Sequence, residues 1–135
     1  MIPVLILTHG SLSLELREAV LKIVPELEGH VEALALPWEH EPEVEKTKLR
    51  RELKRLVREN GGVVIVTDMF GGTASNIALP FLEENKVEIV TGANLPMLMK
   101  LASLKNREPG TLETAEAMQK AGQNSIRIAS NFLKA

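Results

Sequence analysis

The chain has no cysteine and no tyrosine, and only one tryptophan and three phenylalanines. Without cysteine there can be no disulfide, no thiolate chemistry and no cysteine-ligated zinc or iron-sulfur site. So few rings leave little for the stacking platforms that hold bases, flavins or sugars. A surplus of charge is missing too: 16 Lys and Arg stand against 18 Asp and Glu, for a formal net charge of -2. The basic residues are interspersed with glutamates, so nothing supplies the one-sided positive field that a nucleic-acid backbone requires. The first apolar run, Ile2 to Leu7, is far shorter than a membrane span and lacks the flanks of a signal peptide. The expectation is a soluble, cytoplasmic chain with no nucleic-acid partner and no direct membrane insertion.

What is present is 135 residues with 44% apolar content, enough for one core and too little for two ordinary domains. A single domain over residues 1–135 follows. No repeat or low-complexity tract divides it, and the hydrophobic period alternates as β, α, β, α, β, α, β, α, α, β. Pro3 to Thr8 (PVLILT) and Gly62 to Thr67 (GVVIVT) are continuous aliphatic runs, as expected of strands covered on both faces. Val31 to Leu36 and Val87 to Thr91 are weaker versions.

Leu12, Leu16, Ala19, Val20, Ile23 and Val24 recur at helical spacing until Pro25. From about Pro42 to Glu59 a second helix carries Leu49, Leu53, Leu56 and Val57 on one stripe. Glutamates open it, arginines close it and Gly61 follows its end. Its many charges read as a solvated face. Asn76 to Glu84 forms a third helix disturbed near Pro80, Leu95 to Leu104 a fourth with Pro96 in its first turn, and a fifth runs from a Thr111 cap to Gly122. The tail Ser125 to Ser130 (SIRIAS) alternates in polarity and reads as a C-terminal edge strand, a natural place for a second subunit to pair. The fold class is therefore α/β: a doubly wound, mainly parallel sheet of order 2-1-3-4, with helices on both faces and an edge strand at the end.

In that architecture reacting groups collect at the carboxyl ends of the strands. Strand one ends in Thr8-His9-Gly10-Ser11, and strand three in Asp68-Met69-Phe70-Gly71-Gly72-Thr73. The two strands are neighbours in this order, so His9 and Asp68 come within reach of each other. Asp68 is the only aspartate among the eighteen acidic residues. A carboxylate bonded to one imidazole nitrogen fixes the tautomer, leaves the other nitrogen nucleophilic and stabilises positive charge on the ring. Phosphoryl transfer needs that, plus donors around the equatorial oxygens, and asks for no cofactor and no metal. Gly10 with Ser11, and Gly71, Gly72 and Thr73, each lead into a helix N-terminus and are candidate phosphate-binding residues. The Thr73 hydroxyl is expected to cap its helix and is a candidate phosphate donor. His30 and His40 read as loop residues. Trp38, beyond strand two, reads as a loop residue that could rim the crevice, and Asn94 as a helix cap.

Three segments, LTHG at residues 7–10, VTDMFGGTASN at 66–76 and TGANLPMLMKLAS at 91–103, resemble the mannose-family IIA component of the bacterial phosphoenolpyruvate-dependent sugar phosphotransferase system. The likeness spans nearly the whole chain in matching order and spacing. It implies a doubly wound homodimer, phosphorylated on His9 by the phosphocarrier HPr, with Asp68 orienting the imidazole. Thr73 and the Gly71-Gly72 backbone would contact the phosphate, and a IIB partner would accept it. Ala74 departs from the proline that many members carry after Gly-Gly-Thr/Ser. The expectation from the resemblance is a stand-alone member, with no linker and no fused IIB domain.

Four other readings compete. A phosphohistidine hydrolase of the mutase-like kind expects arginine before His-Gly, where Thr8 stands. A tetrapyrrole metal chelatase also places His-Gly-Ser after strand one but needs further ligands, for which only His40 is on offer. A receiver domain needs acidic residues after strand one to hold magnesium, where His9-Gly10 stands. An inert binding module would give His9 no transfer role.

Overall fold

The computed structural model describes residues 1–133. Four strands, β1 (Val4–His9), β2 (Val31–Leu36), β3 (Val63–Thr67) and β4 (Val87–Thr91), form one parallel sheet in the order β2-β1-β3-β4. The continuous aliphatic runs are the two central strands. Val63 to Thr67 is buried throughout, and so is Val4 to Thr8, because helices cover both faces.

Alternation along the strands then divides the core. Val4, Ile6, Val64, Val66 and Val90 point to one side, where they pack with α1 (Leu12–Ile23), α4 (Leu95–Met99), α5 (Leu101–Leu104) and α6 (Thr111–Asn124). Leu5, Leu7, Val63, Ile65 and Val87 point to the other, against α2 (Pro42–Asn60) and α3 (Thr73–Ala78).

Chain breakers set most boundaries. Pro25 opens a short 3-10 turn after α1, and Gly61 closes α2 in the left-handed region (φ 85°) with its N–H on the Val57 carbonyl. The charges of α2 pair along its own surface, Arg55 with Glu52 at 2.7 Å and Glu59 at 3.3 Å, and Arg55 also meets Glu32 on β2. This is the solvated face expected of it. The helix expected from Asn76 starts earlier, at Thr73, and turns 3-10 over Leu79–Phe81 because Pro80 has no N–H to donate. The fourth helix divides into α4 and α5 at Lys100, whose backbone stays helical. The helix begun at Thr111 continues past Gly122, which is buried against Met97, to Asn124.

Two expectations are corrected. Thr73 and Thr111 are not caps: Gly72 and Gly110 take the extended cap position, the two threonines are the first helical residues, and Thr111 Oγ1 donates to the Asn85 carbonyl at 3.3 Å. The edge strand over Ser125–Ser130 does not form in the single chain. Ser125 folds back, its hydroxyl and N–H on the Gly122 carbonyl, and α7 (Ala129–Phe132) replaces the far half. Ile126 and Ile128 remain exposed. An alternating segment becomes a strand only when a ladder partner is beside it.

Candidate functional site

The parallel register pairs Leu7 of β1 with Thr67 of β3, so both chains leave the sheet together, into His9 and Asp68. Asp68 Oδ2 lies 2.6 Å from His9 Nδ1 and also accepts the His9 backbone N–H at 3.0 Å; Oδ1 accepts the Met69 N–H at 3.0 Å. Burial pushes the Asp68 carboxyl up, but the His9 N–H, the His9 ring and the Met69 N–H outweigh it and hold the group below its ordinary value. A carboxylate can only accept, so Nδ1 carries the proton and the Nε2 lone pair is left free. Nε2 has no hydrogen-bond partner among the described residues. The two side chains are 19% and 15% exposed, half-sheltered yet reachable.

Gly72 borders the ring: a Cβ there would stand 3.3 Å from His9 Cε1 and 2.8 Å from Met69 Cγ. Gly71 is exposed in the left-handed region (φ 77°) with open space where a side chain would project, and Thr73 is exposed beside it at the start of α3. Ser11 is the exposed N-cap residue of α1, and its hydroxyl makes no cap bond. Gly10 is used differently from the expectation. Its N–H donates to the Leu36 carbonyl at 2.8 Å, so it has no free donor to offer a phosphate. Its missing side chain matters instead, because a Cβ would collide with Trp38 Nε1 at 2.8 Å.

Trp38 is the site residue that the sequence left as a loop residue at the rim. Its indole stacks on the His9 imidazole, with ring centroids 5.3 Å apart and planes 23° from parallel. The available signal was register: Leu36 of β2 pairs with His9, which brings the residues just beyond Leu36 alongside the site. His40 closes that same turn, its Nδ1 on the Pro37 carbonyl at 2.7 Å. His30 lies before β2, at the opposite end of the sheet, and its carbonyl accepts the Val4 N–H. Asn94 caps α4 as expected, accepting the Met97 N–H at 3.0 Å. The groups around His9 are thus a carboxylate, an indole and a glycine-rich turn, a poor ligand set for a metal chelatase and a good one for an imidazole nucleophile.

The family model of the PTS system fructose IIA component matches residues 3–120. The chain belongs to this family. As a IIA component it is a phosphocarrier of the sugar phosphotransferase system, of the phosphotransferase type. It is 30% identical over 139 residues to the PTS system fructose-specific EIIA component of Bacillus subtilis (strain 168), with 99% of this chain and 90% of that protein covered. Among solved structures it is similar to the PTS IIA protein associated with the fucose utilization operon from Streptococcus pneumoniae, at 28% identity and a TM-score of 0.83 over 98% of this chain and 96% of that one. It also shares the fold of the mannose/sorbose specific IIA subunit from Enterococcus faecalis, at 24% identity and a TM-score of 0.79 over 95% of each chain. Among the described residues, no helix of this IIA component is long and apolar enough to cross a membrane.

Proposed function

We propose that His9 Nε2 is the phosphoryl acceptor, loaded by an HPr-like phosphocarrier and unloaded by a IIB-type protein. The carrying observation is the 2.6 Å contact between His9 Nδ1 and Asp68 Oδ2, which leaves the other ring nitrogen as the nucleophile. In the forward step the Nε2 lone pair forms the bond to phosphorus while the bond from phosphorus to the donor breaks. Asp68 keeps the proton on Nδ1 and offsets the positive charge that the ring gains. In the second step the same Nε2–P bond breaks toward the acceptor, and the ring returns to its starting tautomer.

Ser11 and the Gly71-Gly72-Thr73 turn are the groups best placed to meet the phosphoryl oxygens, with backbone N–H groups at the start of α3 and two exposed hydroxyls. The chain works in the cytoplasm, where donor and acceptor would meet it. It acts as a homodimer, a reading supported by Ile126, Ile128 and Phe132, which are 78%, 67% and 60% exposed in the single chain.

The test is incubation with phosphoenolpyruvate and the general phosphotransferase components, followed by intact mass before and after mild acid. One acid-labile phosphate on the wild type and none on His9→Ala is expected. A wild type that takes no phosphate from a competent donor, or a His9→Ala variant that still takes it, refutes the assignment.

A further inference from the structure

We infer that Trp38 is a positioning residue for phosphoryl transfer at His9, holding the imidazole from the face that Asp68 cannot reach. The inference rests on His9 being the phosphoryl acceptor. Asp68 fixes one atom of the ring, Nδ1, and a single bond leaves the ring free to tilt about it. The stacked indole removes that freedom: with the centroids 5.3 Å apart and the planes 23° from parallel, any large tilt drives the imidazole into the indole.

The contact is built rather than incidental, because three separate features of the chain place the indole there. Gly10, in the left-handed region at φ 57°, leaves the space that a Cβ would fill 2.8 Å from Trp38 Nε1. The Gly10 N–H ties that glycine to the Leu36 carbonyl, so the backbone before Trp38 cannot drift from the backbone after His9. Beyond it, the His40 ring donates to the Pro37 carbonyl at 2.7 Å and closes the turn that presents the indole. Trp38 is 76% exposed, so the core does not hold it.

The stack has a second consequence. As Nε2 bonds to phosphorus with Nδ1 protonated, the imidazole becomes cationic, and the negative face of an indole attracts a cation. Trp38 therefore favours the loaded ring over the empty one as well as orienting it.

The experiment is single-turnover phosphorylation from phospho-HPr over a range of donor concentrations, read by quenched-flow and intact mass, for wild type, Trp38→Ala and Trp38→Phe. Because the side chain is largely exposed, both variants should fold, and circular dichroism checks that they do. The maximal rate for Trp38→Ala is expected to fall roughly five- to thirty-fold, with the half-saturating donor concentration little changed, and Trp38→Phe should recover most of it. In the wild type, emission from this sole tryptophan should change as His9 is loaded. A maximal rate within twofold of wild type in Trp38→Ala, with or without weaker donor binding, overturns the positioning role while leaving His9 as the acceptor. A wild type that takes no phosphate at His9 overturns the underlying assignment instead.

Discussion

Replacing Asp68 with Asn removes one negative charge and one acceptor: an amide oxygen in the Oδ2 place can still accept the His9 backbone N–H and the ring, while the NH2 in the Oδ1 place leaves the Met69 N–H without its acceptor. The loss that bears on transfer falls on the ring. In the wild type a charged acceptor lies 2.6 Å from Nδ1, and hydrogen bonds of that kind contribute about 1.5–3 kcal/mol. The bond strengthens as the ring becomes cationic, so its loss appears mainly in the transition state. The rate of phosphoryl acceptance should fall roughly ten- to a hundred-and-fifty-fold.

Stability should respond as well, with a sign that follows from the carboxyl being held below its ordinary value of 3.8 in the fold. The ionised group stabilises the protein above that value, and the contribution disappears as pH falls through the folded pKa. Asp68→Asn should therefore flatten the acid limb of stability below about pH 4. The assay is quenched-flow transfer from phospho-HPr at saturating donor, with nitrogen-15 NMR of the ring to report the tautomer. Transfer within twofold of wild type, together with an Nδ1–H tautomer that persists in the variant, would refute the role given to the carboxylate.

Two further outcomes concern stability. Leu101, fully buried in the core cluster with Leu98, Val90 and Met118, should cost about 2–5 kcal/mol on truncation to Ala, measured from urea midpoints at constant slope; a loss under about 1 kcal/mol would mean that α5 is not packed into this core. His30 has its pKa lowered from 6.5 by burial first, then by Lys105 and the N-terminal ammonium, so the unfolded chain binds the proton first and wild-type stability should fall as pH drops below 6.5, levelling off past the folded pKa. His30→Gln should remove that part of the slope, and an unchanged urea-midpoint difference between pH 7.5 and about 5 would show that the histidine is not linked to folding.

The pairing of His9 with Asp68 was legible because it follows from strand order alone. Two fully aliphatic runs must be central strands, central strands of this order are adjacent, and both end in a reactive side chain. The features that escaped depend on where a flexible segment leans or what lies beside it. Period-two alternation in Ser125–Ser130 is a local signal, whereas ladder hydrogen bonds are non-local, and with no strand alongside the segment turned back on Gly122. Thr73 and Thr111 carry cap chemistry, but each follows a glycine that already takes the extended cap backbone, which moves the threonine one place into the helix. Trp38 could be located to the crevice rim but not aimed, since nothing in the sequence reveals that Gly10 leaves a gap for its indole.

The surroundings of His9 also bear on what kind of donor can load it. A small-molecule phosphoryl donor needs a concave site that buries most of its surface. One groove, of about 580 Å³, runs along the outer side of β4, lined by residues such as Ile89, Leu112, Ala115 and Ile126, and His9 does not line it. Beside His9 the chain instead presents Met69 to solvent at 55% exposure, next to the Gly72 that borders the ring. An exposed methionine beside a half-sheltered polar centre suits a protein-binding surface. A donor protein seated there would exclude water from the moving phosphoryl group, which the open site by itself does not do. On the proposed assignment of His9, the same openness would let the loaded ring be presented to a second protein, so that cargo is taken up and given away without a lid.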